Sequence, residues 1–177
     1  MNSNTVTKVS SRCNTRTITM NAMCIALTFL ATMCINVRLP IMANGGLIHL
    51  GNVPLFLTAI LLGRKSGAVA GAVGMALFDL VSGWVAWAPF TFVIVGLMGY
   101  VVGAMTEKGS HQTIAWYLVA ILVALVIKVA GYYGAEGILY GNWIAPASSI
   151  PGNIMQVVIA GIIVVPLAGN LKRRLHL

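Results

Sequence analysis

Residues 113–130 form an apolar run of eighteen residues that carries a single charge, Lys128. That length and polarity are about what a helix needs to cross the hydrocarbon core of a bilayer. Five more apolar runs, at about 17–35, 52–62, 67–81, 90–105 and 153–167, repeat the pattern along the chain. Apolar residues make up 59% of the 177 positions and charged residues 8%, with a mean hydropathy of +0.92. Soluble domains carry about 25% charged residues, so eleven bases and three acids are too few to cover a water-facing surface. The expected fold is an all-α integral membrane protein of six transmembrane helices. Its second run is short for a span, which implies tilt or shelter by neighbouring protein.

The bases decide the topology. Lys8, Arg12 and Arg16 precede the first run, and Arg64 and Lys65 occupy a tight turn, 63–66, after the second. Lys108 lies in the break after the fourth run, and Lys172, Arg173 and Arg174 follow the sixth. With six spans and a cytoplasmic N-terminus, all nine face the cytoplasm, while the outer segments hold Arg38 and Glu136. Five spans would strand one basic end outside. The expected organisation is a cytoplasmic tail at 1–16, a six-helix body at 17–170 and a basic cytoplasmic tail at 171–177. Outer loops are expected near 36–51, 82–88 and 131–152. The first run follows a long polar start with no cleavage motif and reads as a retained span. The net charge of +8 forms no basic face with interleaved aromatics, so no nucleic-acid partner is expected.

Small residues recur at three- and four-residue spacing, which puts them on one helix face. Gly67, Gly71 and Gly74 in the third run, and Gly96, Gly99 and Gly103 in the fourth, read as internal packing positions. Ala22 and Ala26 in the first run fit an internal or a partner-facing surface equally. Cys13, Cys24 and Cys34 lack metal-site spacing and read as small buried thiols.

The polar residues that need an explanation gather on the outer side. Lys128 either snorkels to the outer headgroups or lines an outward-facing pocket. Asp79, near the outer end of the third run, is placed at a depth similar to Lys128. The two are expected to pair directly or to share a ligand. Trp84 and Trp87 follow as membrane anchors or as flat walls for an aromatic ring. Asn52 with Pro54 is a candidate helix start, its side chain an N-cap or a ligand contact. His49, Asn142, Trp143 and Asn153 fall on the same side. Catalytic patterns are missing: no GxxxxGK[ST], no HExxH, no GxSxG and no acid pair for two-metal work. No enzyme activity and no cofactor are expected of this chain.

These features resemble the substrate-binding S components of energy-coupling factor (ECF) vitamin transporters over about residues 17–170. The resemblance rests on Ala22-Met23-Cys24-Ile25-Ala26, on Gly45-Gly46-Leu47-Ile48-His49-Leu50-Gly51-Asn52-Val53-Pro54, and on residues 67–83 with Leu77-Phe78-Asp79-Leu80. It implies a six-helix protein of the bacterial cytoplasmic membrane that binds a vitamin or precursor at its outer side. The first outer loop would close over the site, and later helices and outer loops would complete it. It also implies that Ala22 and Ala26 contact a transmembrane coupling protein joined to two cytoplasmic ATPases, which use the ATP. The binding residues expected on this reading are His49, Asn52, Asp79, Trp84, Lys128, Asn142 and Asn153. The GGxIHxGNVP and LFD segments resemble a subgroup for riboflavin-like, pyridoxine-like or hydroxymethylpyrimidine-like cargo. A vitamin B6-like compound is the leading expectation, with riboflavin or hydroxymethylpyrimidine as alternatives. A membrane scaffold that retains no micronutrient is the alternative of a different class.

Overall fold

A computed structural model of the chain describes residues 15–38, 47–107 and 113–175. Lys8, Arg12, Cys13, Pro40, Asn44, Gly45, Gly46 and Lys108 lie outside the described residues. Six α-helices follow in order: α1 (Thr15–Cys34), α2 (Asn52–Leu62), α3 (Arg64–Val81), α4 (Ala88–Thr106), α5 (Ile114–Tyr140) and α6 (Ile150–Leu175). Four of them, α1, α4, α5 and the stretch containing α6, are long and apolar enough to cross a membrane. The 18-residue α3 carries Arg64, Lys65 and Asp79. The 11-residue α2 rises only about 16 Å, half a bilayer core. Its Leu55, Phe56, Ala59 and Ile60 are buried by the other helices, which is the shelter the short run requires.

The described ends of the segment between α1 and α2 are not irregular. Two short strands, β1 (Asn36–Arg38) and β2 (Leu47–His49), pair antiparallel with Asn36 opposite His49 and Arg38 opposite Leu47. The turn expected at 63–66 narrows to Gly63, whose φ of 87° suits glycine alone. Arg64, Lys65 and Ser66 already belong to α3. At its far end α6 runs on through the basic triplet to Leu175.

The largest departure concerns the loop expected at 131–152. α5 continues through Gly131, Gly134 and Gly137 to Tyr140 and stops at Gly141, which takes a left-handed φ of 61°. A 3-10 turn (Ala145–Ser149) then leads into α6. Glu136 therefore sits on a helix, 7% exposed, and not in an outer loop.

The glycine series pack the helices together, as their spacing implies. A Cβ on Gly67 would lie 2.6 Å from Ala59 Cβ and 2.9 Å from the Gly99 carbonyl, so α2, α3 and α4 touch backbone to backbone. Gly71 is met by Leu55 and Val95, and Gly74 by Thr28 of α1. α1 turns Thr28 and Thr32 inward, each hydroxyl donating to the carbonyl four residues back. Ala22 and Ala26 lie on its exposed face with Met23, Leu27 and Leu30. The internal reading of the alanine pair does not fit that exposure. Cys24 is partly buried and Cys34 exposed. Phe56, Val95, Met98, Val102, Tyr117, Ala124, Val157 and Val164 form the centre of the core. Outward-facing residues such as Val126 and Ile162, 67% and 71% exposed, are apolar because lipid is their solvent.

Candidate functional site

α5 builds one wall of a cavity. Lys128, Tyr132, Glu136 and Tyr140 recur every four residues, so one helix face carries all four into the same space. α3 contributes Phe78 and Asp79 in its last turn, and the turn after it contributes Trp84 and Trp87. Thr91 comes from α4, Leu47 and His49 from β2, Ser148 and Ser149 from the 3-10 turn, and Asn153 and Gln156 from α6. The cavity is open at its mouth, with a volume of about 100 Å³.

Aromatic rings form the flat surfaces. Trp84 and Trp87 meet edge to face at 5.2 Å between centroids, and Trp87 lies 5.9 Å from Tyr140. His49 tilts against Phe78 at 6.4 Å. These contacts hold the rings in place around the cavity.

The polar groups divide into partnered and open ones. Lys128 is 1% exposed, so it does not snorkel. Its ammonium donates to Gln156 Oε1 at 2.9 Å and lies 5.5 Å from the Tyr132 ring centroid. Gln156 Nε2 in turn donates to the Leu47 carbonyl of β2. The Tyr132 and Thr91 hydroxyls are 3.1 Å apart. Asp79 faces the cavity with Lys128 but makes no ion pair with it; among the described residues the ion pair is Arg64 with Glu107. The direct Asp79–Lys128 pairing expected from depth is thus replaced by Lys128–Gln156. Asp79 Oδ2 and Glu136 Oε2 are buried without a hydrogen-bond partner, which leaves acceptors free to meet a ligand. Burial first, and the Lys128 ammonium second, hold the His49 imidazole well below its ordinary range. Its Nδ1 accepts from the Gly51 amide at 3.3 Å, consistent with a neutral ring.

Of the residues singled out in the sequence, the fold brings His49, Asp79, Trp84, Lys128 and Asn153 to the cavity. Asn52 and Asn142 do not line it. Asn52 is fully buried at the first turn of α2 with both amide atoms unpartnered. The N-cap position belongs to Gly51, so the capping role considered for Asn52 is not realised. Asn142 is exposed, its Oδ1 accepting from the Ile144 amide. Trp143 packs near Tyr133, 6.3 Å between centroids, and is also off the cavity. Glu136, Tyr132, Tyr140 and Gln156 were missed. The fourfold spacing from Lys128 to Tyr140 would have found the first three had the helix been carried past Gly131. Gln156, an uncharged residue in an apolar run, gave a weaker signal. Among the described residues, no cluster of three or more His, Cys, Asp and Glu side chains suits a metal ion.

Residues 12–173 match the family described as ECF-type riboflavin transporter, S component. The chain is 36% identical over 139 residues to an uncharacterised protein of Pyrococcus woesei, covering 78% of this chain and 91% of that one. It is 26% identical over 166 residues to the thiamine precursor transporter HmpT of Lactococcus lactis subsp. cremoris, covering 94% and 93%. The chain belongs to the ECF-type riboflavin transporter S-component family and is a membrane transport component for a vitamin or vitamin precursor.

Proposed function

We propose that the cargo is a single-ring, hydroxylated nitrogen heterocycle: a pyrimidine of the thiamine-precursor type or a pyridine of the vitamin B6 type. The cavity carries this reading. One substituted ring set against the two tryptophans reaches Lys128, Asp79, Glu136 and Asn153, which all line the same space. The name of the Lactococcus relative supports the pyrimidine beside the B6 compound expected from the sequence. Trp84 and Trp87 together wall one side of the ring, Lys128 donates to a ring nitrogen or hydroxyl, and Asp79, Glu136 and Asn153 take the donors of the substituents.

The chain performs no chemistry in this scheme. It binds cargo from the exterior, with both termini in the cytoplasm as the nine clustered bases favour. Ala22 and Ala26 meet the coupling protein, and two ATPases supply the energy. Native mass spectrometry of protein purified in mild detergent from cells grown in rich medium tests the cargo. A retained single-ring heterocycle supports the assignment. A flavin mass overturns the single-ring assignment, and protein that retains no micronutrient, with no binding on titration, supports a scaffold instead.

A further inference from the structure

The structure assigns to Gln156 a role as the latch that ties the outer hairpin to the cargo-binding lysine, a role that rests on the cargo site proposed above. Three observations carry it. The Gln156 amide is 5% exposed, and both of its ends are used. Its orientation has one solution: an ammonium has no acceptor and a carbonyl has no donor, so Oε1 must face Lys128 and Nε2 must face Leu47. The three groups belong to α5, α6 and β2, so one side chain joins the helix bearing Lys128 to the strand bearing His49.

The consequence follows from hydrogen-bond chemistry. Lys128 has three donor hydrogens and gives one to Gln156, leaving the others for cargo. An ammonium on Oε1 polarises the amide and strengthens its Nε2–H bond to Leu47. β2 pairs with β1, so the hairpin is held down through its second strand at a point that also lines the cavity. Opening the Leu47 bond then frees the hairpin wall of the cavity, which speeds the escape of cargo held between Lys128 and the hairpin. Gln156 is a positioning residue here: it sets the residence time of the cargo and contributes little to the encounter.

Gln156→Glu separates the two halves of the relay. The carboxylate still accepts from Lys128, now as an ion pair, but it has no hydrogen to give Leu47 and repels that carbonyl. Gln156→Met keeps the stem and removes both bonds. The full chain in detergent, with radiolabelled 4-amino-5-hydroxymethyl-2-methylpyrimidine and pyridoxine as probes, is followed by hydrogen exchange and by dissociation rate. In both variants the amides of residues 36–38 and 47–50 should exchange at least about tenfold faster than wild type, with α4 unchanged. A bound probe should leave roughly 10- to 100-fold faster, with the association rate little changed. Wild-type hairpin exchange in both variants overturns the latch. So does fast exchange with an unaltered dissociation rate. Failure of both probes to bind wild type overturns the cargo reading, while faster hairpin exchange in the variants still supports the tether.

Discussion

At the scale of single residues, the cavity's charges are set by what each group can reach. Lys128 survives in the membrane interior because Gln156 accepts one of its hydrogens and Tyr132 offers a ring face. Asp79 has no such direct partner at Oδ2. Lys128→Met and Asp79→Asn should each weaken cargo binding by roughly 2–5 kcal/mol, about 30- to several-thousand-fold, because each removes a charge-assisted contact and leaves the cargo group it met unpaired. Isothermal titration beside a melting curve of the ligand-free protein checks this. Lost melting temperature with wild-type affinity in the folded fraction assigns the charges to structure instead. His49 makes a second expectation, this time in pH. Its folded-state pKa is lowered, so between that value and about 6.5 the unfolded chain binds a proton that the folded chain refuses. The stability this contributes is fully present above about pH 6.5 and is lost as pH falls towards the folded value. Melting curves of wild type and His49→Gln should run parallel above pH 7 and converge or cross below 6.5. Curves that remain parallel throughout assign no titration to His49.

At the scale of elements, the same residue type plays opposite parts, and space decides which. Gly67 has the Gly99 carbonyl and Ala59 where its Cβ would stand, whereas Gly134 has nothing within 4 Å. Gly67→Ala should cost roughly 1–3 kcal/mol of stability by forcing α3 from its neighbours. Gly134→Ala should be neutral, or stabilise by about 0.5–1 kcal/mol through the lost flexibility of glycine in a helix. Thermal unfolding of the two variants in one detergent reads the contrast, and equal effects would undo the packing argument. The α3 and α4 glycines were legible because regular spacing is a packing signal. Gly131, Gly134 and Gly137 read as loop in the sequence because recurring glycine in water marks turns. Gly131 instead admits Ile94 and Gly137 admits Trp143, at 2.8 and 2.5 Å from a would-be Cβ. In lipid a helix satisfies its own backbone and tolerates glycine that water would unravel. That misreading hid Glu136. The charges at Asp79 and Lys128 were visible as anomalies in apolar runs, whereas the β1–β2 pairing and the Gln156 bridge depend on contacts distant in sequence.

At the scale of the whole molecule, the described residues separate the cavity proposed for cargo from a helix whose own face is open. α1 commits Thr28 and Thr32 to the bundle and leaves Ala22, Met23, Ala26 and Leu27 exposed. Lipid alone would be served by larger side chains; two alanines four residues apart leave room for another backbone to approach. The cargo cavity draws on α3, α4, α5 and α6 and on β2, but on no residue of α1. On the proposed function, binding and coupling should therefore be separable by mutation. Replacing Ala22 and Ala26 together with Leu adds volume on the exposed face, so the isolated protein should fold and bind cargo within about twofold of wild type. Uptake by cells that supply the coupling protein and ATPases should be lost, because the new side chains hold the partner helix away. Loss of folding and binding together would place the alanines in the internal core, against their exposure. Unimpaired uptake would move the coupling surface to another face of the molecule, whereas recovery of uptake in the Ala22→Gly/Ala26→Gly variant would show that close approach, and not the methyl groups themselves, is what α1 supplies.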